Sequence, residues 1–116
     1  MDEKQTIAAL AALAQPTRLQ TFRILAAHEP EGVAAGELAR LVGVPQNTMS
    51  AHLSTLAQAG LVTAERQSRS ILYRVDLEHF RATMLYLLQD CCGGNPALCA
   101  PLMAAITPCC PAKEPA

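Results

Sequence analysis

The sequence has no tryptophan and only four aromatic residues, Phe22, Tyr73, Phe80 and Tyr86. A core built from it must therefore rest on Leu, Ile, Val, Met and Ala. It has no apolar run of the roughly 20 residues that a membrane-spanning helix needs. Its first residues, MDEKQTIAALAALAQPTR, lack the basic start and continuous apolar stretch of a secretory signal. The expected compartment is the cytoplasm, with no membrane association. Acids are nearly missing from Arg40 to Val75, where Glu65 alone faces Arg40, Arg66, Arg69 and Arg74. A net charge of -1 argues against nucleic acid, but this local basic stretch can still meet phosphate. Cysteine is absent before Cys91 and then occurs five times, at Cys91, Cys92, Cys99, Cys109 and Cys110. In a reducing compartment such thiols fit metal binding or reactivity better than structural disulfides, and an odd number leaves one unpaired within a chain.

What is present suits one domain. The chain has 116 residues, 51% of them apolar, enough for a modest core that dimerisation would enlarge. Ile7, Leu10 and Leu13 recur at helical spacing and predict a helix over 3–14. A second begins at Pro16, with Leu19, Phe22 and Leu25 inward, and ends before the loop EPEG. AGELARLVG predicts a short third helix with Leu38, Leu41 and Val42 inward, closing at Gly43. A fourth starts at Pro45 or Gln46, turns Met49, Leu53 and Leu56 inward, and stops at Gly60. LVTAERQ and SILYRV alternate in polarity and predict a hairpin around Ser68-Arg69. From Leu77 the helical pattern returns, through Phe80, Met84, Leu87 and Leu88. The end, TPCCPAKEPA, is proline-rich and is expected to form a mobile tail.

The third and fourth helices, joined by GVPQ, make a helix-turn-helix pattern, and the hairpin stands where a wing would. In such a unit the second helix enters the major groove by its N-terminal half. Opposite Met49, Leu53 and Leu56 the helix carries Asn47, Ser50, Ala51, Ser54 and Gln58, with Gln46 and Thr48 at its flanks. Amides pair bidentately with adenine, and serine reaches bases or phosphates. Arg66, Arg69 and Arg74 are the expected phosphate clamps, although strand alternation also gives Arg66 and Arg74 a place in the sheet. His52 falls toward the inward side and reads as a half-buried structural residue. His28 reads as exposed at a helix end.

PQNTMSAHLSTLAQAGLV, followed by ERQSRSILYRV, resembles the recognition helix and wing of the ArsR/SmtB repressors. LAALAQPTRLQTFRIL is similar to the opening of that family, and the likeness spans roughly residues 5–90. It implies a mainly α fold with a small β-hairpin, a homodimeric winged helix-turn-helix whose first and last helices form the interface. It implies repression at double-stranded palindromic operator DNA, relieved by an inducer. By position Gln46, Asn47, Ser50 and Ala51 match the family's DNA-facing residues, and Thr48, Ser54, Arg66 and Arg69 complete the expected set. Pro45 departs from the serine often found there, so the helix start is expected to lack a side-chain cap. The division expected is 1–90 for DNA binding and dimerisation, and 91–116 for a cysteine-bearing inducer segment and tail.

Thiolates are soft ligands and choose soft ions. Trivalent arsenic and antimony prefer three sulfurs in a pyramid, which Cys91, Cys92 and Cys99 can supply once Gly93-Gly94 and Pro96 fold the chain back. The CCGG…C stretch resembles the C-terminal sites of arsenic-responsive family members. The expected inducer is As(III) or Sb(III), with no organic cofactor. Zinc or cadmium would want a fourth ligand, which Cys109 or Cys110 could provide, and response to lead, or oxidant sensing by disulfide formation, are further alternatives. Zinc-sensing relatives use Asp and His on the last helix, but Asp76 and His79 lack a second pair and read as a helix N-terminal acid and a solvated histidine. A metallochaperone without DNA binding would need no polar-faced helix and wing. An enzyme would need an acid-base partner beside its nucleophile, and the cysteines have none.

Overall fold

The computed structural model describes residues 1–88. In chain order it holds α1 (Glu3–Leu13), α2 (Pro16–Ala27), β1 (Val33–Ala34), α3 (Ala35–Val42), α4 (Gln46–Gln58), β2 (Val62–Gln67), β3 (Ser70–Val75) and α5 (Leu77–Leu88). The fold is thus mainly α with a small antiparallel sheet. The whole segment from 91 to 116, with its expected tail, lies outside the described residues. Among the described residues no helix is long and apolar enough to cross a membrane.

Local chemistry sets the helix starts. Asp2 Oδ1 accepts from the Gln5 amide at 2.8 Å, and Gln5 Oε1 accepts from the Asp2 amide at 3.0 Å. This reciprocal box satisfies two donors that a helix start leaves open. Gln15 Oε1 does the same for the Arg18 amide of α2, at 2.8 Å, just ahead of Pro16 in the first turn.

The core forms where α2, α3 and α4 meet the base of the sheet. Leu25, Leu38, Met49, Leu53, Leu56 and Leu61 are fully buried, and Phe22 tilts against Phe80 at a centroid distance of 5.1 Å. The inward stripe expected for α4 is the one observed. Two others need correction. Leu19 is 45% exposed, because α2 turns Thr21, Phe22 and Leu25 inward instead. Leu41 is 43% exposed, because the eight-residue α3 buries Leu38 and Ala39. Three threonines sit in the interior at little cost. Thr6, Thr21 and Thr83 each donate to the carbonyl four residues back, on Asp2, Thr17 and His79, at 2.8–3.0 Å.

On α1 the small residues face inward, with Thr6, Ala9 and Ala12 buried, while Ile7 is 58% and Leu10 37% exposed. Alanines let α1 lie close to α5, against which it packs. Leu77, Leu85 and Leu87 of α5 are exposed as well.

The hairpin forms within one residue of its expected bounds, paired from Val62↔Val75 to Gln67↔Ser70. The sheet also has a third strand that alternation could not reveal. β1 pairs Val33 with Tyr73 and Ala34 with Leu72, giving the order β1-β3-β2. Two residues are too short to show a period. Their approach depends on Gly32, where φ is +84° and a Cβ would stand 2.7 Å from Arg74 Cγ and 2.8 Å from the Tyr73 carbonyl oxygen.

Candidate nucleic-acid interface

α3, the turn Gly43-Val44-Pro45 and α4 form the helix-turn-helix, and β2–β3 form the wing beside it. Pro45 flanks α4 with no side-chain cap, as its chemistry requires. The start is nevertheless partly satisfied, since Asn47 Oδ1 accepts from the Thr48 amide at 2.8 Å. Asn47 is left with its amide NH₂ turned outward as a donor.

Gln46, Asn47, Thr48, Ser50, Ala51 and Ser54 are all exposed on α4. This face carries no charge and no bulky apolar group, so another molecule can come close to the helix and exchange hydrogen bonds with it. A groove of about 280 Å³ brings Gln46 and Ser50 together with Arg69, Ser70, Ile71 and Tyr73 of the wing. Gly36 of α3 also lines it, and the Gln46 amide lies 3.7–3.8 Å from where a Cβ on Gly36 would be. Asn47, Thr48, Ala51, Ser54 and Arg66 do not line the groove. Ser70 and Tyr73 belong to this surface but were not expected there. Counting by twos from Arg69 reaches Ile71 and then Tyr73, and that period would have found the tyrosine.

Strand geometry sorts the arginines. Arg66 sits opposite Ile71, hence on the Ile71–Tyr73 face of the sheet, whereas Arg74 pairs with Thr63 on the other face. There Arg74 meets Glu29, with Nη2 2.6 Å from Oε2. The Glu29 carboxylate holds the Arg74 guanidinium more firmly in its charged form, through the hydrogen bond first and charge attraction second. The expectation that Arg74 clamps phosphate is therefore corrected, because its charge is spent within the fold. Arg40 is similarly paired with Glu37 of its own helix, and that hydrogen bond holds the Glu37 carboxyl below the usual carboxylate range. Arg66 and Arg69 are exposed and form no salt bridge among the described residues.

The histidines divide. His28 is exposed at the end of α2, and His52 is half-buried with Nδ1 3.4 Å from Arg18 Nη1, both as expected. Asp76 is the expected N-terminal acid of α5, its Oδ1 accepting from the His79 amide at 3.0 Å. His79 itself is only partly solvated. It is half-buried because Gly60 leaves room for its ring. The five cysteines, Cys91, Cys92, Cys99, Cys109 and Cys110, lie outside the described residues. Among the described residues no three His, Cys, Asp or Glu side chains gather as a metal site.

Comparison with known proteins agrees with this geometry. A helix-turn-helix domain family matches residues 13–65. The transcriptional regulator YgaV of Escherichia coli is 32% identical over 89 residues, which cover 77% of this chain and 88% of that protein. The chain spans about half the length of the mycobacterial regulators it also matches. Among solved structures, a homodimeric winged helix-turn-helix DNA-binding domain from Mycobacterium bovis, described as a possible ArsR-family regulator, aligns with a TM-score of 0.62. It is 30% identical, covering 73% of this chain and 77% of that one. A crystal structure described as a possible transcriptional regulator for arsenical resistance aligns with a TM-score of 0.61 at 28% identity, covering 71% and 81%. The fold, the exposed polar helix beside its wing and these relatives together make the chain a member of the ArsR/SmtB family of DNA-binding, winged helix-turn-helix transcription regulators.

Proposed function

We propose that this regulator is a homodimeric repressor that leaves its operator when As(III) or Sb(III) binds the thiolates of Cys91, Cys92 and Cys99. The observation that carries this reading is the cysteine distribution: none before Cys91, then three within nine residues around a Gly-Gly-Asn-Pro turn. The resemblance to a protein described as a possible regulator of arsenical resistance supports it. Exposed Ile7 and Leu10 on α1, with exposed leucines on α5, support a second copy as the partner that covers them.

At the operator, Gln46, Asn47, Thr48, Ser50, Ala51 and Ser54 face base edges, and Arg66 and Arg69 face phosphates. Ligation gathers the chain beyond α5 into one geometry, and the strain passes along α5 to the dimer interface and to α4. Half-sites one helical turn apart, about 34 Å, tolerate little change in the separation of two reading helices. The coupling required is about 1–3 kcal/mol, or 5- to 150-fold in affinity.

Fluorescence anisotropy with the chain's own promoter DNA tests this. Arsenite should weaken binding within that range, and unchanged affinity at saturating arsenite would end the proposal. Cys91→Ser or Cys92→Ser should bind DNA normally and lose the response. Cys109→Ser with Cys110→Ser should shift it little.

The arginine assignments have their own readout. Each phosphate contact contributes about 0.9 to the slope of log affinity against log salt. In a dimer each arginine counts twice, so Arg66→Ala combined with Arg69→Ala should lower that slope by about 3.6. Arg74→Ala should leave it unchanged while lowering thermal stability. A slope that moves with Arg74 instead would reverse the assignment.

A further inference from the structure

Where α5 begins, it touches the end of the reading helix. Gly60 terminates α4 with φ at +85°, and Leu61 follows into the core. The Asp76 amide donates to the Leu61 carbonyl at 2.8 Å, and Asp76 Oδ1 in turn holds the His79 amide. The His79 ring fills the space beside Gly60, where a Cβ would stand 2.7 Å from both Cε1 and Nε2. The Gly60, Leu61, Asp76 and His79 amides of this junction are satisfied. One side-chain atom is not: His79 Nε2 is closed to solvent and has no hydrogen-bond partner among the described residues.

A buried polar atom without a partner is costly, and it calls for an explanation wherever a fold keeps one. Leucine would fill the same space at no such cost. The penalty is also confined to one arrangement. When the start of α5 steps away from Gly60, water reaches Nε2 and the penalty disappears. We propose that His79 is a positioning residue that holds the α4–α5 junction ready to open, so that movement of α5 is passed to the reading helix. An unsatisfied group of this kind shifts a closed-to-open equilibrium by about tenfold. That matches the range of coupling between sites in allosteric proteins. The inference rests on α4 being the reading helix and not on the identity of the inducer.

The test compares the full-length protein with His79→Leu and His79→Gln. The glutamine keeps a polar atom beside Gly60. Amide hydrogen exchange at Asp76, whose bond to Leu61 breaks on opening, should slow about tenfold in His79→Leu, with a higher Tm and undiminished operator affinity. His79→Gln should stay near the wild type. Faster or unchanged exchange in His79→Leu, or a fall in Tm, would overturn the proposal. If the leucine variant does not fold, His79→Met decides by the same readouts, and its destabilisation is equally fatal. Arsenite titrations run separately: a wild type that ignores arsenite sinks the metalloid reading, while the exchange comparison still decides the role of His79.

Discussion

Ala51→Glu is expected to abolish specific operator binding while leaving the fold intact. Ala51 lies about 200° around the helix from Met49, opposite the buried stripe of α4, and it is exposed. Glutamate is a good helix former at an open position, so the thermal transition should move little. In the groove of DNA the same carboxylate stands among phosphates, and it holds off the bases that the neighbouring Asn47, Ser50 and Ser54 are to reach. Loss of two or three hydrogen-bonded contacts together with charge repulsion should reduce affinity at least about 100-fold, or roughly 2.7 kcal/mol. Ala57→Glu is the control. It adds the same charge to an exposed position of the same helix, six residues and about 9 Å further from the N-terminal half. Near 0.15 M salt that separation is about a Debye length, so its effect should stay within a few-fold. Equal losses in both variants would mean that net charge, not a groove-reading surface, governs binding.

The outward position of Ala51 was legible in the sequence, because a period of 3.6 fixes which side of α4 faces out once Met49, Leu53 and Leu56 face in. All six expected reading residues are exposed for that reason. The hairpin was equally legible from its alternation. Long-range partners were not. Arg74 and Glu29 are 45 residues apart, and nothing local announces that they meet. β1 is two residues long and is created by its neighbour β3. His79 appeared solvated because its polar surroundings along the chain hide the cavity that a glycine nineteen positions earlier leaves open. On α1 the period was visible, but size reversed the faces: Ala9 and Ala12 pack inward closely, and the larger Ile7 and Leu10 are left outside. The residues that carry the inducer proposal are legible only as chemistry, as five thiols with a turn between them.

Ile7→Glu combined with Leu10→Glu should convert the protein to monomers and cost more operator affinity than any single loss of a base contact. The two side chains lie three residues apart on α1, so they share one face, and both are exposed on a helix that packs against α5. Burying a leucine or isoleucine fully contributes about 1.5–3 kcal/mol. A symmetric dimer uses each such residue twice. Two carboxylates placed there would have to be desolvated without partners, which is far costlier than losing the apolar contact alone. Once the second protomer is gone, both half-sites can no longer be held at once, and the avidity of a linked pair, about 10²–10⁴-fold, goes with it. Light scattering should show halved mass, and anisotropy should show that palindromic DNA is bound no better than a single half-site. Helical circular dichroism that persists in the monomer would show that each chain folds alone, while its loss would mean that dimerisation supplies part of the fold. A variant that stays dimeric and binds the palindrome at wild-type strength would place the interface elsewhere. It would also remove the route by which events at the end of α5 reach two reading helices together.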